Sequence, residues 1–220
     1  MPCVLTIWLV RPTKRLVKIQ PDSRERIFRA GASAFAARGF AGANVDRIAA
    51  AAGVNKAMIY YHFKSKAALY HEILREMFEA VAARLDEMGA RHRKPEGKIR
   101  AFVEAIAHEA EARPHFPPIW FREIAEGGTH LDAGTIATVA SIVHRLVLII
   151  REGVAAGKFR RVDPLLIHGG IVGPLLLYYA SARLRKRMAR AGIRGADRFD
   201  SRDVIAHVQR VALTTLEGRM

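Results

Sequence analysis

Small, apolar and polar residues recur at a fixed spacing between Val45 and Phe63, in the segment VDRIAAAAGVNKAMIYYHF. Ala49 is small enough for a second helix to pass close by, and Gly53 can supply the turn backbone, where a Cβ would strain the chain. An apolar seam that would lock two short helices together is formed by Ile48, Val54 and Ile59. This spacing is what a helix-turn-helix needs, and the chemistry that it suggests is recognition of DNA by the second helix. Two ordinary short amphipathic helices are the alternative.

The charge of the chain points to the same chemistry. The net charge is +15, and the segment up to Lys66 holds 12 Lys and Arg against 3 Asp and Glu, whereas the rest of the chain holds 24 against 18. A concentrated positive field attracts polyanions, of which nucleic acid is the commonest. A generally basic proteome is the alternative. A second basic run, Arg183 to Arg190, is either a further polyanion site or a solvated helix end.

Residues that could do other chemistry do not form a recognisable site in the sequence. Cys3 is the one cysteine, which excludes an intramolecular disulfide and a cysteine-based zinc site and fits a reducing, cytoplasmic compartment. The histidines of the second part of the chain lack the spacing that puts two ligands on one helical face. They are His108, His115, His130, His144 and His168. With no nucleophile elbow, phosphate loop or acid/base pair either, we predict no metal, no cofactor and no enzyme.

Two apolar stretches require a check against membrane insertion. Val4 to Val10 precedes its basic residues, which is the reverse of a signal peptide, and it is too short to span a bilayer. We interpret residues 1–20 as a basic, disordered arm or a mis-assigned start. Residues 165–182 carry no formal charge, but His168, Pro174 and three glycines weaken a lipid-facing helix. We expect that stretch to be buried between protein surfaces, with no membrane partner.

Helical periodicity recurs along the rest of the chain, and no strand-type alternation persists. We therefore predict an all-α fold of about nine helices. The first should begin at Asp22, with Glu25 completing a capping box, and end at Gly39. A single helix is expected over 164–190, with Pro174 either kinking it or accommodated by packing. The other helices are expected near 45–52, 56–62, 66–88, 98–112, 118–126, 131–156 and 202–217. Residues 21–68 are assigned to an N-terminal helix-turn-helix domain and 69–220 to a second helical domain.

The run YYHFKSKAAL at 60–69 and the preceding Arg38-Gly39-Phe40 closely resemble the same places in the tetracycline-repressor (TetR) family of transcription regulators. The resemblance covers about residues 24–73, and the rest of the chain is similar to the family only in length and helix number. It implies a three-helix DNA-binding domain, a variable helical ligand-binding domain, and a homodimer formed through the last two long helices. We therefore expect double-stranded DNA with a palindromic operator as the partner.

The resemblance also implies roles for individual residues. The expected contacts with DNA are made by Asn44, Asn55, Lys56, Ala57, Tyr60, Tyr61, His62 and Lys66. Asn44 stands where the family often has threonine or serine, and it caps a helix N-terminus that can face a phosphate. Ala57 offers only an apolar contact, for example to a thymine methyl group. Lys56 could instead be a solvated charge and Tyr61 could pack in the core, as Phe63 is expected to do.

A ligand pocket is expected in the second domain, because the family places one among these helices and pockets are mostly apolar. The residues predicted to line it are Phe102, Ile106, Trp120, His144 and Tyr178, which favour a small apolar or aromatic effector. Plain core packing is the alternative for each of them. The predicted function is a ligand-responsive regulator, a repressor released from its operator by this effector. The competing hypotheses are a non-specific nucleic-acid or membrane-surface binder and an enzyme acting on an apolar substrate.

Overall fold

The computed structural model describes residues 22–218, and over that range the chain forms ten helices and no strand. The all-α prediction is therefore confirmed, while the arm predicted over residues 1–20 lies outside the described residues. The helices are α1 Ser23–Gly42, α2 Val45–Ala52, α3 Lys56–Phe63, α4 Lys66–Gly89, α5 Pro95–Ala112, α6 Phe116–Ala125, α7 Ala133–Ala155, α8 Pro164–Ala180, α9 Ala182–Arg190 and α10 Ser201–Glu217.

The first helix begins without the predicted capping box. The Asp22 side chain accepts no backbone N–H group of α1 and instead accepts the Ser23 hydroxyl at 3.2 Å. Gly39 ends the regular helix as expected, because its φ of +70° lies in the left-handed region that favours glycine. The chain then makes one irregular turn to Gly42 before α2.

Helix α4 joins the N-terminal helices to the rest of the molecule. It runs unbroken across position 68, where we predicted the boundary between the two domains from the sequence. Its first turn is closed by the Ser65 hydroxyl oxygen, which accepts the Ala68 N–H at 3.0 Å. Leu69 and Tyr70 are buried near its start, and Met77 and Phe78 are buried further along. A displacement of α4 is therefore felt in both halves of the chain.

The C-terminal bundle surrounds α5, which is buried along most of its length. Helix α7 begins at Ala133, close to His130, whose ring lies against Phe40 of α1, and near its other end Glu152 pairs with Lys98 at the start of α5. It therefore runs away from the N-terminal helices. Helix α8 runs back, since His168 near its start lies beside Phe102, and Tyr179 near its end lines a groove together with Glu111 at the end of α5.

The helix predicted over 164–190 is divided in the structure. It breaks at Ser181 into α8 and α9, which are bent by 57°, so the described chain has one helix more than expected. Pro174 lies inside α8 without ending it. The bend instead lies at Ser181, where the Arg185 guanidinium donates to the Tyr178 carbonyl and to the Ser181 hydroxyl.

Helix α7 is long and apolar enough to cross a membrane by length and composition, and the bent pair α8–α9 passes the same test as a unit. Helices of a protein core commonly share this composition. In α7 the stripe Ile142, Leu146 and Ile150 is buried against the other helices. Helix α7 therefore contributes one apolar face to the core of the bundle.

Candidate nucleic-acid interface and apolar cavity

Helices α2 and α3 are fixed by asparagine caps at both of their N-termini. The Asn44 side-chain oxygen accepts the N–H groups of Asp46 at 2.8 Å and Arg47 at 3.2 Å, and the Asn55 oxygen accepts that of Ala57 at 2.9 Å. Each cap satisfies N–H groups that the helix itself leaves without a partner. Because the caps use only the carbonyl oxygens, the exposed side-chain NH₂ groups can still donate to a phosphate.

The turn between the two helices has the geometry that the sequence predicts. Gly53 has a φ of +62° and donates its N–H to the carbonyl groups at the end of α2. The seam beneath the turn is formed by Ile48, Ala49, Ile59 and Phe63, all buried, with Val54 half-buried beside them. The two short helices are therefore held as one unit, and the orientation of α3 follows from the packing of α2.

The outer face of α3 carries the residues that were predicted to contact DNA. Asn55, Lys56 and Ala57 are exposed at its start, and Tyr60 and Tyr61 are 43% and 71% exposed. Tyr61 is therefore not a core residue, and its contact with DNA stays a prediction. Exposed aromatic rings on a rigid helix are typical of a binding surface.

Lys56 is paired within the molecule by a neighbour that would compete with DNA. Its ammonium group lies 2.9 Å from an Asp46 carboxylate oxygen, and that pair raises the pKa of Lys56. Both side chains are well exposed, and such surface pairs contribute only ~0–1 kcal/mol. A phosphate can therefore take the place of Asp46 at little cost, and the pair holds the lysine near the start of α3.

Two of the predicted contacts have structural partners here. Lys66 donates to the carbonyl groups of Phe40 at 2.9 Å and Ala43 at 3.1 Å, and its ammonium group lies 4.5 Å from the centre of the Phe40 ring. His62 shares a 2.8 Å hydrogen bond with the Ser23 hydroxyl. In this geometry both residues fasten α1 to the helices that follow, and their contact with DNA stays a prediction.

An arginine-rich groove between α1 and α2 was not predicted residue by residue. It has a volume of about 570 Å³, and Asn44 lies among the residues that line it. Its basic residues are Arg26, Arg29, Arg38 and Arg47. Sequence reasoning missed them because only the overall charge excess of this segment signalled their role. The groove extends the positive surface from the cap of α2 along α1.

A small apolar cavity lies in the C-terminal bundle where α4, α5, α6, α7 and α8 meet. Its volume is about 30 Å³. Ile106 and Trp120, two of the predicted pocket residues, line it. The other lining residues are Phe78, Val81, Phe116, Val139, Ile142, His168, Val172 and Leu176. His168 is the polar group among them, and burial lowers its pKa, so the neutral imidazole is favoured.

The structure places the other three predicted pocket residues elsewhere. Phe102 is buried next to the cavity, with its ring 6.5 Å from that of His168. His144 is exposed on the outer side of α7. Tyr178 lies at the bend after α8, where its hydroxyl donates to the Phe199 carbonyl at 3.2 Å. Only Ile106 and Trp120 of the five are therefore brought to one cavity.

Helix α6 connects the cavity to the N-terminal helices. Trp120 lines the cavity, and Arg122 two residues later donates to the Ala37 carbonyl of α1 at 3.2 Å. The fully buried Glu123 carboxylate accepts the Tyr70 hydroxyl at 2.6 Å, and burial and this carboxylate together raise the pKa of Tyr70. Helix α6 therefore contacts the cavity, α1 and the start of α4 at the same time.

His130 completes this junction. Its ring lies 3.0 Å from the Glu123 carboxylate and 4.5 Å from the Phe40 ring. In the described part of the chain, Glu123, Glu126 and His130 also have the spacing of a metal-binding group, with ligand atoms within 4.8 Å of one another. The hydrogen bonds from Tyr70 and His130 account for the buried carboxylate, so we describe the group as a helix junction.

A capped two-helix unit with an exposed polar and aromatic face, mounted on a separate apolar bundle, defines a helix-turn-helix protein with a sensor domain. The comparisons with known proteins agree. Residues 27–73 match the family described as bacterial regulatory proteins of the tetR family, and residues 95–207 match the tetracyclin repressor-like C-terminal domain. The chain belongs to the TetR family of bacterial transcription regulators.

Individual relatives support the same assignment. The HTH-type transcriptional repressor KstR2 of Mycolicibacterium smegmatis is 31% identical over 148 residues, which cover 64% of this chain and 70% of that protein. The HTH-type transcriptional repressor NicS of Pseudomonas putida is 26% identical over 196 residues, covering 88% and 92%. The structure of the ketosteroid transcriptional regulator KstR2 of Mycobacterium tuberculosis superposes with a TM-score of 0.73 at 19% identity, covering 90% and 97%.

Family membership makes this protein a ligand-responsive, DNA-binding transcription regulator, as the sequence predicted. The family consists of regulators rather than enzymes. The competing hypotheses of a non-specific binder and of an enzyme are not favoured by the comparisons.

Proposed function

We propose that this regulator acts as a homodimer that represses transcription from a near-palindromic operator. The observation that carries the proposal is the exposed face of α3 on a unit fixed by two caps. A twofold axis would place two such helices about one DNA turn apart, roughly 34 Å, so that each enters a major groove. Asn55, Lys56, Ala57, Tyr60 and Tyr61 would make the contacts, with Asn44 and Arg47 on the adjoining phosphates.

The dimer surface that we propose lies on α8 and α10. Leu166 and Leu177 of α8 are 77% and 59% exposed, and Val211 of α10 is 46% exposed. A row of glycines, Gly169, Gly170 and Gly173, has open space where a Cβ would be. A helix that is apolar on all sides needs a partner on each side. A second copy of the same two helices would cover this face.

The effector that we propose is a small apolar molecule bound at the cavity of Ile106, Trp120 and His168. A site for a drug-sized ligand has a volume of about 300–1,000 Å³, so the cavity must open to admit one. Opening it displaces α6 or α7 from α4. The name of the ketosteroid regulator, whose fold this chain shares, is consistent with an apolar ligand class.

The release mechanism that we propose follows from the junction at α6. Ligand entry moves Trp120, the bonds of Arg122 and Glu123 carry the movement to α1 and α4, and the two α3 helices no longer match successive grooves. A coupling free energy of about 1–3 kcal/mol would change operator affinity by roughly 5–150-fold. We also infer a cytoplasmic location, which follows from a role on chromosomal DNA.

Selection of duplexes from a random-sequence pool tests the proposed operator. The protein should enrich a sequence with two inverted half-sites whose centres are about 10 base pairs apart, or a multiple of one turn. Enrichment of single half-sites, or of no sequence at all, would contradict binding of a palindromic operator by a dimer. A variant with Leu166→Glu on α8 should lose the palindrome while the N-terminal helices stay folded.

A further inference from the structure

Helix α9 is a basic helix on the surface of the molecule. None of its nine residues is buried, and Arg183, Lys186, Arg187 and Arg190 follow one another at the three- and four-residue steps of one helical face. Between Ala182 and Asp200 the chain has seven basic residues and only two acidic ones. This segment therefore carries a dense, one-sided positive charge.

The cations on the α9 face lack the ion pairs that several cations of the neighbouring helices make. Arg84 pairs with Glu109, Arg113 with Glu76, and Arg145 with Asp86. In the range that the structure describes, no salt bridge reaches the four cations on the α9 face. Like charges three or four residues apart destabilise an isolated helix. A face of this kind fits an external polyanion better than it fits an intramolecular role.

The bend that precedes α9 is locked, so the basic face has a fixed direction. The Arg185 guanidinium stacks on the Tyr178 ring at 3.9 Å and donates to the Ser181 hydroxyl at 2.9 Å. The Tyr178 hydroxyl in turn donates to the Phe199 carbonyl on the far side of α9, at 3.2 Å. Arg185 thus fixes the bend between α8 and α9, while the other cations of the basic run remain exposed to solvent.

The bend between α8 and α9 lies at the end of the bundle nearer the N-terminal helices. The groove beside Tyr178 and Arg185 also includes Pro114, two residues before α6. Next to it, Arg113 pairs with Glu76, ten residues into α4. The opposite end of the bundle is the α4–α5 connection, where Arg91, Arg93 and Lys94 are exposed. The bend between α8 and α9 therefore lies at the end of the bundle that adjoins the N-terminal helices.

We infer that α9 is a second DNA-contacting surface, whose cations bind backbone phosphates of the duplex that α3 reads. In the dimer proposed above, on which the position of this contact rests, α9 connects the two helices of the interface. Both copies then lie beside the twofold axis, over the centre of the operator. Contacts with phosphates add affinity and fix orientation without reading sequence.

A matched pair of triple variants tests this surface. The first is Arg183→Gln, Arg187→Gln and Arg190→Gln. The control is Arg91→Gln, Arg93→Gln and Lys94→Gln, which removes the same charge from the opposite end. Binding to the duplex selected by the wild type, and to a random duplex of equal length, is measured from low to moderate salt. Far-UV circular dichroism checks the fold, and Arg187→Glu alone serves if the triple variant does not fold.

The α9 variant should bind the selected duplex at least ~10-fold more weakly, with a salt dependence less steep by ~0.9 for each phosphate that it no longer neutralises. The control should stay within ~2-fold of the wild type, and the preference for selected over random DNA should persist in both variants. Equal losses in the two variants, or an unchanged salt slope, would overturn the inference. So would binding to phosphatidylglycerol vesicles that depends on α9 while DNA binding does not.

Failure of the proposed operator would have a different signature. In that case the wild type would select no palindrome, yet the two variants could still be compared on the random duplex. Ethylation of phosphates between the half-sites should interfere with the wild type and not with the α9 variant. Interference confined to the half-sites in both proteins would contradict the central contact.

Discussion

The α2–α3 unit and the apolar cavity are built in opposite ways. The α3 helix is only eight residues long, and it is held by caps and a buried seam so that its outer side chains stay exposed. The cavity lies among five longer helices whose side chains fill almost all of the space between them. A surface that must fit DNA is fixed in advance, whereas a site that must sense a molecule is nearly closed and has to open.

The largest expected effect concerns the DNA-binding surface of α3. Lys56→Ala with Tyr60→Ala removes two contacts from each protomer, and four contacts at ~1 kcal/mol or more each lower operator affinity by about 1,000-fold. Fluorescence anisotropy with the selected duplex measures the loss. The charge-matched control Lys158→Ala, at the far end of α7, should leave affinity unchanged. Retained affinity in the double variant would contradict the role of α3.

The next largest effect is expected from a variant that enlarges the cavity. Leu176→Ala removes buried methyl groups from its wall and should lower the free energy of unfolding by ~2–5 kcal/mol. The same change should create space that a small apolar molecule such as indole can fill, so that indole raises the melting temperature of the variant more than that of the wild type. Leu148→Ala is the control, because that side chain is 49% exposed on α7 and lies outside both the cavity and the proposed dimer surface. An equal response to indole in both variants would show that the cavity is not a binding site.

These two regions also differ in how far the sequence predicts them. The caps, the turn glycine and the seam of α2 and α3 all depend on residues within nineteen positions of one another, so local spacing specifies them. The cavity depends on the rotation of five helices about their axes. His144 follows an apolar stripe in the sequence, yet it lies outside the cavity. His168 lines the cavity, but α8 is so uniformly apolar that its sequence does not show which side of the helix faces the cavity.

The division of α8 from α9 could not be read from Pro174, the residue that drew attention to this helix. A proline inside a helix removes one backbone bond, and the surrounding helix tolerates it here. The bend depends instead on Arg185 meeting Tyr178 and Ser181, which is a side-chain arrangement. The partners of Lys66 could not be predicted either, since the carbonyl groups of Phe40 on α1 and of Ala43 just after it are more than twenty residues away in sequence.

A smaller effect tests the junction between the two regions. Tyr70→Phe removes the hydroxyl that donates to the buried Glu123 carboxylate, and the loss of a bond to a buried charged group should lower stability by ~1–3 kcal/mol. Chemical unfolding measures it, and hydrogen exchange should show faster exchange in α1 and α6. Tyr178→Phe is the matched control and should cost less, because its hydrogen bond is exposed. Equal losses would mean that the junction does not join the domains.

The smallest effect concerns pH. Burial lowers the pKa of His168, so the unfolded chain binds a proton more readily than the folded one. The stability contributed by this difference is complete above the ordinary histidine pKa of about 6.5 and is lost as the pH falls below it. Denaturation at several pH values should therefore show a weaker decline in His168→Leu than in the wild type. The variant His144→Leu, at an exposed position, is the control. A steeper decline of stability in His168→Leu than in the wild type would contradict the lowered pKa of His168.

A hydroxyl-radical footprint on the selected duplex tests the central claim most directly. With two α3 helices in neighbouring major grooves, the wild type should protect two patches related by a twofold axis and separated by about one helical turn. The Lys56→Ala and Tyr60→Ala variant should protect neither patch at the same concentration. Uniform protection along the duplex, or a footprint that survives in that variant, would contradict the account.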